Sequence, residues 1–318
     1  MAKYILKRIL IAVPIFLGIT IIVYTLSCLA PGNVVDVMAS QSNMTQEAYE
    51  AAIQQYGLDQ PIIVRYGHWL LNLLQGDLGI STRTQQPIWN MIMERIPSSL
   101  LLTVSSLVVS ILISIPLGVM AAYKPYSVWD NISSVVSFVG ASVPNFFISL
   151  ICVYFFAAKL NWLPAQGMYT TGGDQGIIDL IRHMILPVAV LCVQMMGNFI
   201  KQTRGSVMEV MNEEYIKTAR QKGISEFRVV VFHALRNAWI PIVTTIGLNI
   251  PFLVGGAVVT EQIFAWPGIG SLMITAINTR DYDLIMGVTV LIAIVVLVAN
   301  IVLDLVYAWL DPRIGYGK

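Results

Sequence analysis

The chain has 318 residues, of which 56% are hydrophobic and only 12% charged, with a formal net charge of +1 and a mean hydropathy of +0.72. Soluble domains carry about 25% charged residues, so half of the usual charge is missing. This excludes disorder, a coiled coil and a nucleic-acid-binding arm, and speaks against an ordinary soluble enzyme. Cys28, Cys152 and Cys192 lie in separate apolar runs. Odd in number and without metal-ligand spacing, they read as packed thiols. The composition is that of an all-α integral membrane protein.

A helix needs about 20 mostly apolar residues to cross the hydrocarbon core. Six stretches qualify as transmembrane helices: 9–30, 97–123, 132–158, 183–203, 238–262 and 283–309. No formal charge falls in the middle of any of them. The first is too long for a signal peptide and lacks a small-residue cleavage site, so it reads as a retained anchor. If residues 1–8 are cytoplasmic, 13 of the 19 Lys and Arg fall in inside segments and 6 outside. The positive-inside rule then places both the N-terminus and the tail 310–318 in the cytoplasm.

Two connections are long. The outer one, 31–96, is expected to fold as a small cap. Thr45 can cap a helix over 46–56 that ends at Gly57, and a second helix follows Asp59-Gln60-Pro61 and runs to Gln75. A cap of this kind suits contact with something on the outer face. The other long connection, 204–237, lies inside and is taken up below.

Within the spans, Asn145 sits beside Pro144 and Asn249 shortly before Pro251, where a kink is favoured over a gate. Gln194, Asn198 and Gln202 recur at i, i+4 and i+8, one amide stripe along the fourth span. Such a stripe can line a pathway that bonds passing peptide groups, or it can join helices by hydrogen bonds worth about 0.6 kcal/mol each. Glu261, at the outer end of the fifth span, can reach an interface and attract an ammonium group or contact a binding protein. Asp304 reads as a partner for an inner cation, and Gly255-Gly256 as a site of close helix approach. His68, His183 and His233 are scattered and form no metal or catalytic cluster.

The 204–237 connection reads as a helical hairpin. One helix over about 207–222 is stopped by Gly223, and Ser225 caps a second with Glu226 in its first turn. Tyr215, Ala219 and Ile216 fall to one side at helical spacing, flanked by cations. The segment is either a groove-binding helix for a partner or a solvated basic loop.

The stretch Glu214-Tyr215-x-x-Thr218-Ala219-Arg220-x-Lys222-Gly223, followed by His233-x-Leu235-Arg236-Asn237-Ala238 and Pro241, resembles the coupling loop of binding-protein-dependent ABC importer permeases. The resemblance is to the dipeptide/oligopeptide branch, which also includes nickel and glutathione permeases. It extends along nearly the whole chain: Lys7-Arg8, Gly57-Leu58-Asp59-Gln60-Pro61, Gly76-Asp77-Leu78-Gly79-Ile80-Ser81, Trp266-Pro267-Gly268-Ile269-Gly270, Arg280-Asp281-Tyr282 and Asp311-Pro312-Arg313. Two departures stand out. The family triplet near Glu-Ala-Ala is Lys217-Thr218-Ala219 here, and the first span exits at Ala30-Pro31-Gly32-Asn33.

The resemblance implies a type I importer permease fold in the bacterial or archaeal cytoplasmic membrane. It also implies a machine with a homologous second permease subunit, two cytoplasmic ABC ATPases and an external substrate-binding protein. The chain lacks a G-x-x-x-x-G-K-[ST] sequence, so it is expected to bind no cofactor, with ATP and Mg on the partner subunits, and not to be an enzyme. By the same resemblance Glu214, Tyr215, Thr218, Ala219, Arg220, Lys222, Gly223, His233 and Arg236 form the ATPase-coupling element. The pathway candidates are Gln194, Asn198, Gln202, Asn145, Asn249 and Glu261. The substrate implied is a short peptide, with nickel complexes, glutathione and opines as alternatives. A stand-alone secondary transporter is disfavoured by the uncharged span centres. An intramembrane enzyme is weaker still, because no nucleophile and histidine share a depth.

Overall fold

The computed structural model describes residues 2–41, 44–173, 175–249 and 257–310. Every named element among these is helical: α1 (Ala2–Leu29), α2 (Val34–Gln41), α3 (Gln46–Gln55), α4 (Ile62–Leu74), α5 (Ile88–Tyr123), α6 (Val128–Ser142) and α7 (Asn145–Cys152), which runs on into a π-helical turn (Val153–Lys159). Then come α8 (Ile177–Met211), α9 (Glu214–Gln221), α10 (Glu226–Arg228) with a π-helical turn (Val229–Ala234), α11 (Leu235–Gly247), α12 (Val258–Ile263), α13 (Ile269–Thr279) and α14 (Tyr282–Leu310). Five described helical stretches are long and apolar enough to cross a membrane, and six if the bent pair α6–α7 counts as one span.

The expected third span, 132–158, is not one rod. It breaks between α6 and α7 with a bend of 107°. Pro144 cannot donate an amide hydrogen and holds the preceding Val143 extended (φ −86°, ψ 125°), so α6 must end there and α7 start afresh. The expected fourth span, 183–203, is part of a longer helix, the 35-residue α8. At 1.5 Å per residue, α8 exceeds the roughly 30 Å hydrocarbon thickness. The fifth expected span, 238–262, is also divided. A continuous helical stretch runs from Glu226 to Gly247, and α12 is a separate short helix. Residues 250–256, including Pro251 and Gly255-Gly256, lie outside the described residues, as do the Asp304 side chain and the Asp311-Pro312-Arg313 segment.

The chain divides into two compact units. In the unit of residues 1–97 and 268–301, α1 packs on α4 through Tyr24, Tyr66 and Trp69, with ring centroids 5.5 to 6.1 Å apart. The Thr20 and Tyr66 hydroxyls share a 3.0 Å hydrogen bond. As the cap reading expects, Thr45 Oγ1 accepts from Ala48 N at the start of α3. Tyr49 donates from α3 to Asp36 on α2 at 2.7 Å. Two of the sequence motifs meet here across 200 residues: Ser81 Oγ donates to the buried Asp281 at 2.5 Å, and the other carboxylate oxygen caps α14 by accepting from Leu284 N. Ile88, Ile92, Ile269, Leu272, Leu284 and Val288 close this core.

In the unit of residues 98–267 and 302–318, α6 and α8 touch backbone to backbone where Gly140 meets Val193 and Gly197. Only glycine permits that approach. Nearby, Arg204 donates from Nε to Asp130 Oδ1 (2.7 Å) and from Nη2 to Oδ2 (3.1 Å), and Tyr126 N donates to the same carboxylate (2.8 Å). Trp266 is fully buried with its indole N–H on Ser98 O.

Candidate functional site

The connection between α8 and α11 differs from the expected hairpin in its first half. Residues 207–211 belong to α8. The chain then breaks at Asn212 and Glu213, and Glu213 is extended (φ −70°, ψ 148°) as α9 begins. At the other end of α9, Gly223 has φ +76°, Gly223 N donates to Arg220 O and Ile224 N to Ala219 O. This left-handed cap satisfies the final carbonyls and turns the chain back. Ser225 occupies the N-cap position of α10, but its side chain makes no cap bond.

The short helix has two faces. Ile216 and Ala219 are buried, packed with Val207, Val229, Val230 and Ala234. Tyr215 is exposed instead. This corrects the expectation that Tyr215, Ala219 and Ile216 share one presented side: Ala219 is an anchor into the protein, and Tyr215 is presented. Partial desolvation beside its neighbours nevertheless pushes the Tyr215 phenol above its ordinary value.

Arg220, expected in the coupling element, has a partner within the turn. It forks onto Glu226, with Nη2 2.6 Å from Oε1 and Nε 3.1 Å from both oxygens, and this bond holds the guanidinium above its ordinary value. Lys217 pairs with Glu214 at 2.6 Å, and Thr218 Oγ1 donates to Glu214 O. Lys222 is the exposed C-cap of α9.

Tyr215, His233 and Arg236 line one recess of about 590 Å³, joined by Phe232 and Trp239. Phe227 and Phe232 are more than 60% exposed and Trp239 is 40% exposed. Sequence reading missed these three. Phe227 and Phe232 lie in the connection and Trp239 at the start of the expected fifth span, where their spacing does not mark them as exposed; the π-helical turn at Val229–Ala234, which holds Phe232, changes the helical register there.

The amide stripe is split by burial. Gln194 and Asn198 are exposed, while Met195, Met196, Phe199 and Ile200 beside them are buried. Gln202 is half-buried and donates to Ser206 Oγ at 3.0 Å. Asn145 Nδ2 donates to Thr260 Oγ1 at 2.8 Å, just past the α6–α7 break, while its Oδ1 is buried without a partner. Asn249, in the turn just past α11, donates from Nδ2 to Thr245 O. Glu261, expected at an interface, is instead fully buried and accepts from Ser99 Oγ at 2.7 Å. The turn of α12 points it inward together with Thr260, so in this chain it is an interior anchor. His183 is buried with Nδ1 on Asp179 O. No group of three His, Cys, Asp or Glu that could hold a metal occurs among the described residues.

This is a polytopic helical membrane protein with an exposed aromatic and basic turn between two of its long helices. Residues 114–316 match the family of binding-protein-dependent transport system inner membrane components, and residues 1–103 match that family's N-terminal region. The chain belongs to this family. It is 43% identical over 317 residues to the oligopeptide transport system permease protein AppB of Bacillus subtilis, covering 99% of this chain and 100% of that one. The dipeptide transport system permease protein DppB of Escherichia coli is 34% identical over 339 residues, and the di/tripeptide permease DppB of Pseudomonas aeruginosa 36% over 336, each covering both chains in full.

Proposed function

We propose that the chain is one of two homologous permease subunits of an ATP-driven importer of short peptides. An external binding protein delivers the peptide and two cytoplasmic ABC ATPases drive the cycle. Names of full-length relatives support the substrate class. The architecture of the 204–237 turn carries the coupling role. Its inner face, Ile216 and Ala219, is fastened into the core that α8 and α11 share, while Tyr215, Phe232, His233 and Arg236 face outward. An ATPase groove that takes the outward face therefore moves a unit already bonded to two long helices, and its closure becomes a rigid displacement of those helices. ATP and Mg sit on the partners, and both chain ends face the cytoplasm with the turn.

In this reading Gln194 and Asn198 form part of the path wall. An amide facing lipid is costly, whereas one facing a peptide backbone exchanges hydrogen bonds at little net cost.

The test is purification of the tagged chain in mild detergent, reconstitution with whatever co-purifies, and assay of labelled dipeptide uptake. ATP-dependent uptake that needs the binding protein, with Tyr215→Cys crosslinking to an ATPase subunit, is the expected result. Uptake without any ATPase in the preparation, driven by an ion gradient, would overturn it.

A further inference from the structure

The unit of residues 1–97 and 268–301 holds a cavity of about 420 Å³, within the roughly 300–1,000 Å³ typical of small-ligand sites. Its aromatic wall is Tyr24 and Trp69, with centroids 6.1 Å apart. Tyr66, itself tied to Thr20, holds both rings in place.

Two opposite charges line the same space, Arg65 from α4 and Asp283 from the start of α14. The contrast between Asp281 and Asp283 is informative. Asp281 is buried and its two oxygens are taken by Ser81 Oγ and Leu284 N. Asp283, two residues on, makes no hydrogen bond or ion pair with any described residue, and Asp281 and Arg65 are the charges that act on it. Arg65 hydrogen-bonds the Tyr24 hydroxyl and has no ion-pair partner among the described residues. A third group points the same way. Thr82 lines the cavity, is only 7% exposed, and its Oγ1 has no hydrogen-bond partner. Buried polar groups in native structures are normally paired, so an orphan hydroxyl beside two opposite charges that have no ion-pair partner among the described residues marks a place for a polar guest.

We infer that this cavity binds the charged ends of a short zwitterionic peptide, its ammonium at Asp283 and its carboxylate at Arg65. The choice of a peptide among zwitterions rests on the importer reading above. Asp283 accepts the three ammonium donors and Arg65 offers a planar fork matched to a carboxylate. The Tyr24 and Trp69 faces receive the side chain, and their negative faces also favour the ammonium. Thr82 Oγ1 is placed to bond the peptide link. The subdomain thus captures free substrate itself, in addition to receiving it from a carrier.

The test is calorimetric titration of the purified complex, stripped of its binding protein, with alanylphenylalanine, its N-acetyl form and its C-amide. Saturable binding is expected, weakened more than about tenfold by capping either end. Asp283→Asn should cost the free dipeptide as much as acetylation does, yet leave the acetylated form no worse than in the wild type. Arg65→Gln should behave in the same way toward the amide. That cross-comparison separates recognition from misfolding, and Thr82→Val offers a milder change on the same wall. Absent binding, or equal binding of capped and free forms, overturns the inference. Carrier-dependent uptake of the same dipeptide is measured in parallel. Uptake with no binding of the dipeptide by the stripped complex sinks the cavity and leaves the importer standing. Capping-sensitive binding with no ATP-driven uptake does the reverse.

Discussion

Arg220 grips Glu226 across the glycine turn, spanning six residues with one guanidinium and both carboxylate oxygens. The two side chains are 38% and 40% exposed. The clamp therefore sets the angle between α9 and α10 more than it stabilises the fold, because exposed pairs contribute about 0.2–1 kcal/mol. A double-mutant cycle of Arg220→Ala and Glu226→Ala, read by thermal unfolding in detergent, should give a coupling within that range that shrinks in 1 M salt. A coupling above about 2 kcal/mol, insensitive to salt, would show that the pair is effectively interior.

Gly223 has open space around the position of a Cβ, and only its backbone angle demands glycine. A β-branched residue in the left-handed region costs about 1–2 kcal/mol. Gly223→Val should lower ATP-coupled uptake severalfold while the chain still inserts and co-purifies with its partners. Gly223→Asn should retain most of the activity, since asparagine tolerates this conformation. Equal uptake in the valine variant and the wild type counts against the turn as coupling element.

Gly140 is limited by space rather than by angle. A Cβ there would run into the carbonyl of Val193 on α8. Gly140→Ala should destabilise by about 1–3 kcal/mol through forced separation of α6 and α8. Gly205→Ala serves as the contrast: it lies in the same helix as Val193, has nothing near its Cβ, and should gain about 0.5–1 kcal/mol in helix preference. Paired melting curves of the two variants check the difference, and similar shifts would refute the close contact.

Replacing Gln194 and Asn198 together by leucine leaves the buried neighbours Met195, Met196 and Phe199 untouched. If the amides face a hydrated path, uptake should fall while thermal stability stays within about 0.5 kcal/mol. If they face lipid, the double leucine variant should be more stable with uptake unchanged.

Much of this was legible from the residues. The long apolar runs gave α1, α5 and α14 because no formal charge falls in the middle of them, and Thr45 and Gly57 bounded α3 by local backbone chemistry alone. The break at Pro144 was visible only as a kink: a proline announces where a helix weakens, but the 107° bend depends on what α7 packs against. The facing of α9 was misread for a related reason. An eight-residue helix carrying Tyr215, Ile216 and Ala219 does not say which of them meets the core, and here Ile216 and Ala219 do. The Asp130–Arg204 fork joins residues 74 apart, and Asp283 was hidden by counting as the first residue of a span. Neither relation has a local signature.

The unbroken helical stretch from Glu226 to Gly247 has 22 residues, about 33 Å of helix at 1.5 Å per residue. One end begins at the Arg220 clamp and the other rests with Gly247 against the Leu303 side chain. Such a rod can yield at two places, the π-helical turn at Val229–Ala234 and Pro241, which has no amide hydrogen for the i−4 bond. The wider ring of the π turn lets the rod shorten or rotate by a single residue without snapping its hydrogen-bond ladder. If the turn is the coupling element, the stiffness of these two places sets how much of a push on Glu226 arrives at Gly247, and slack in either would idle the stroke.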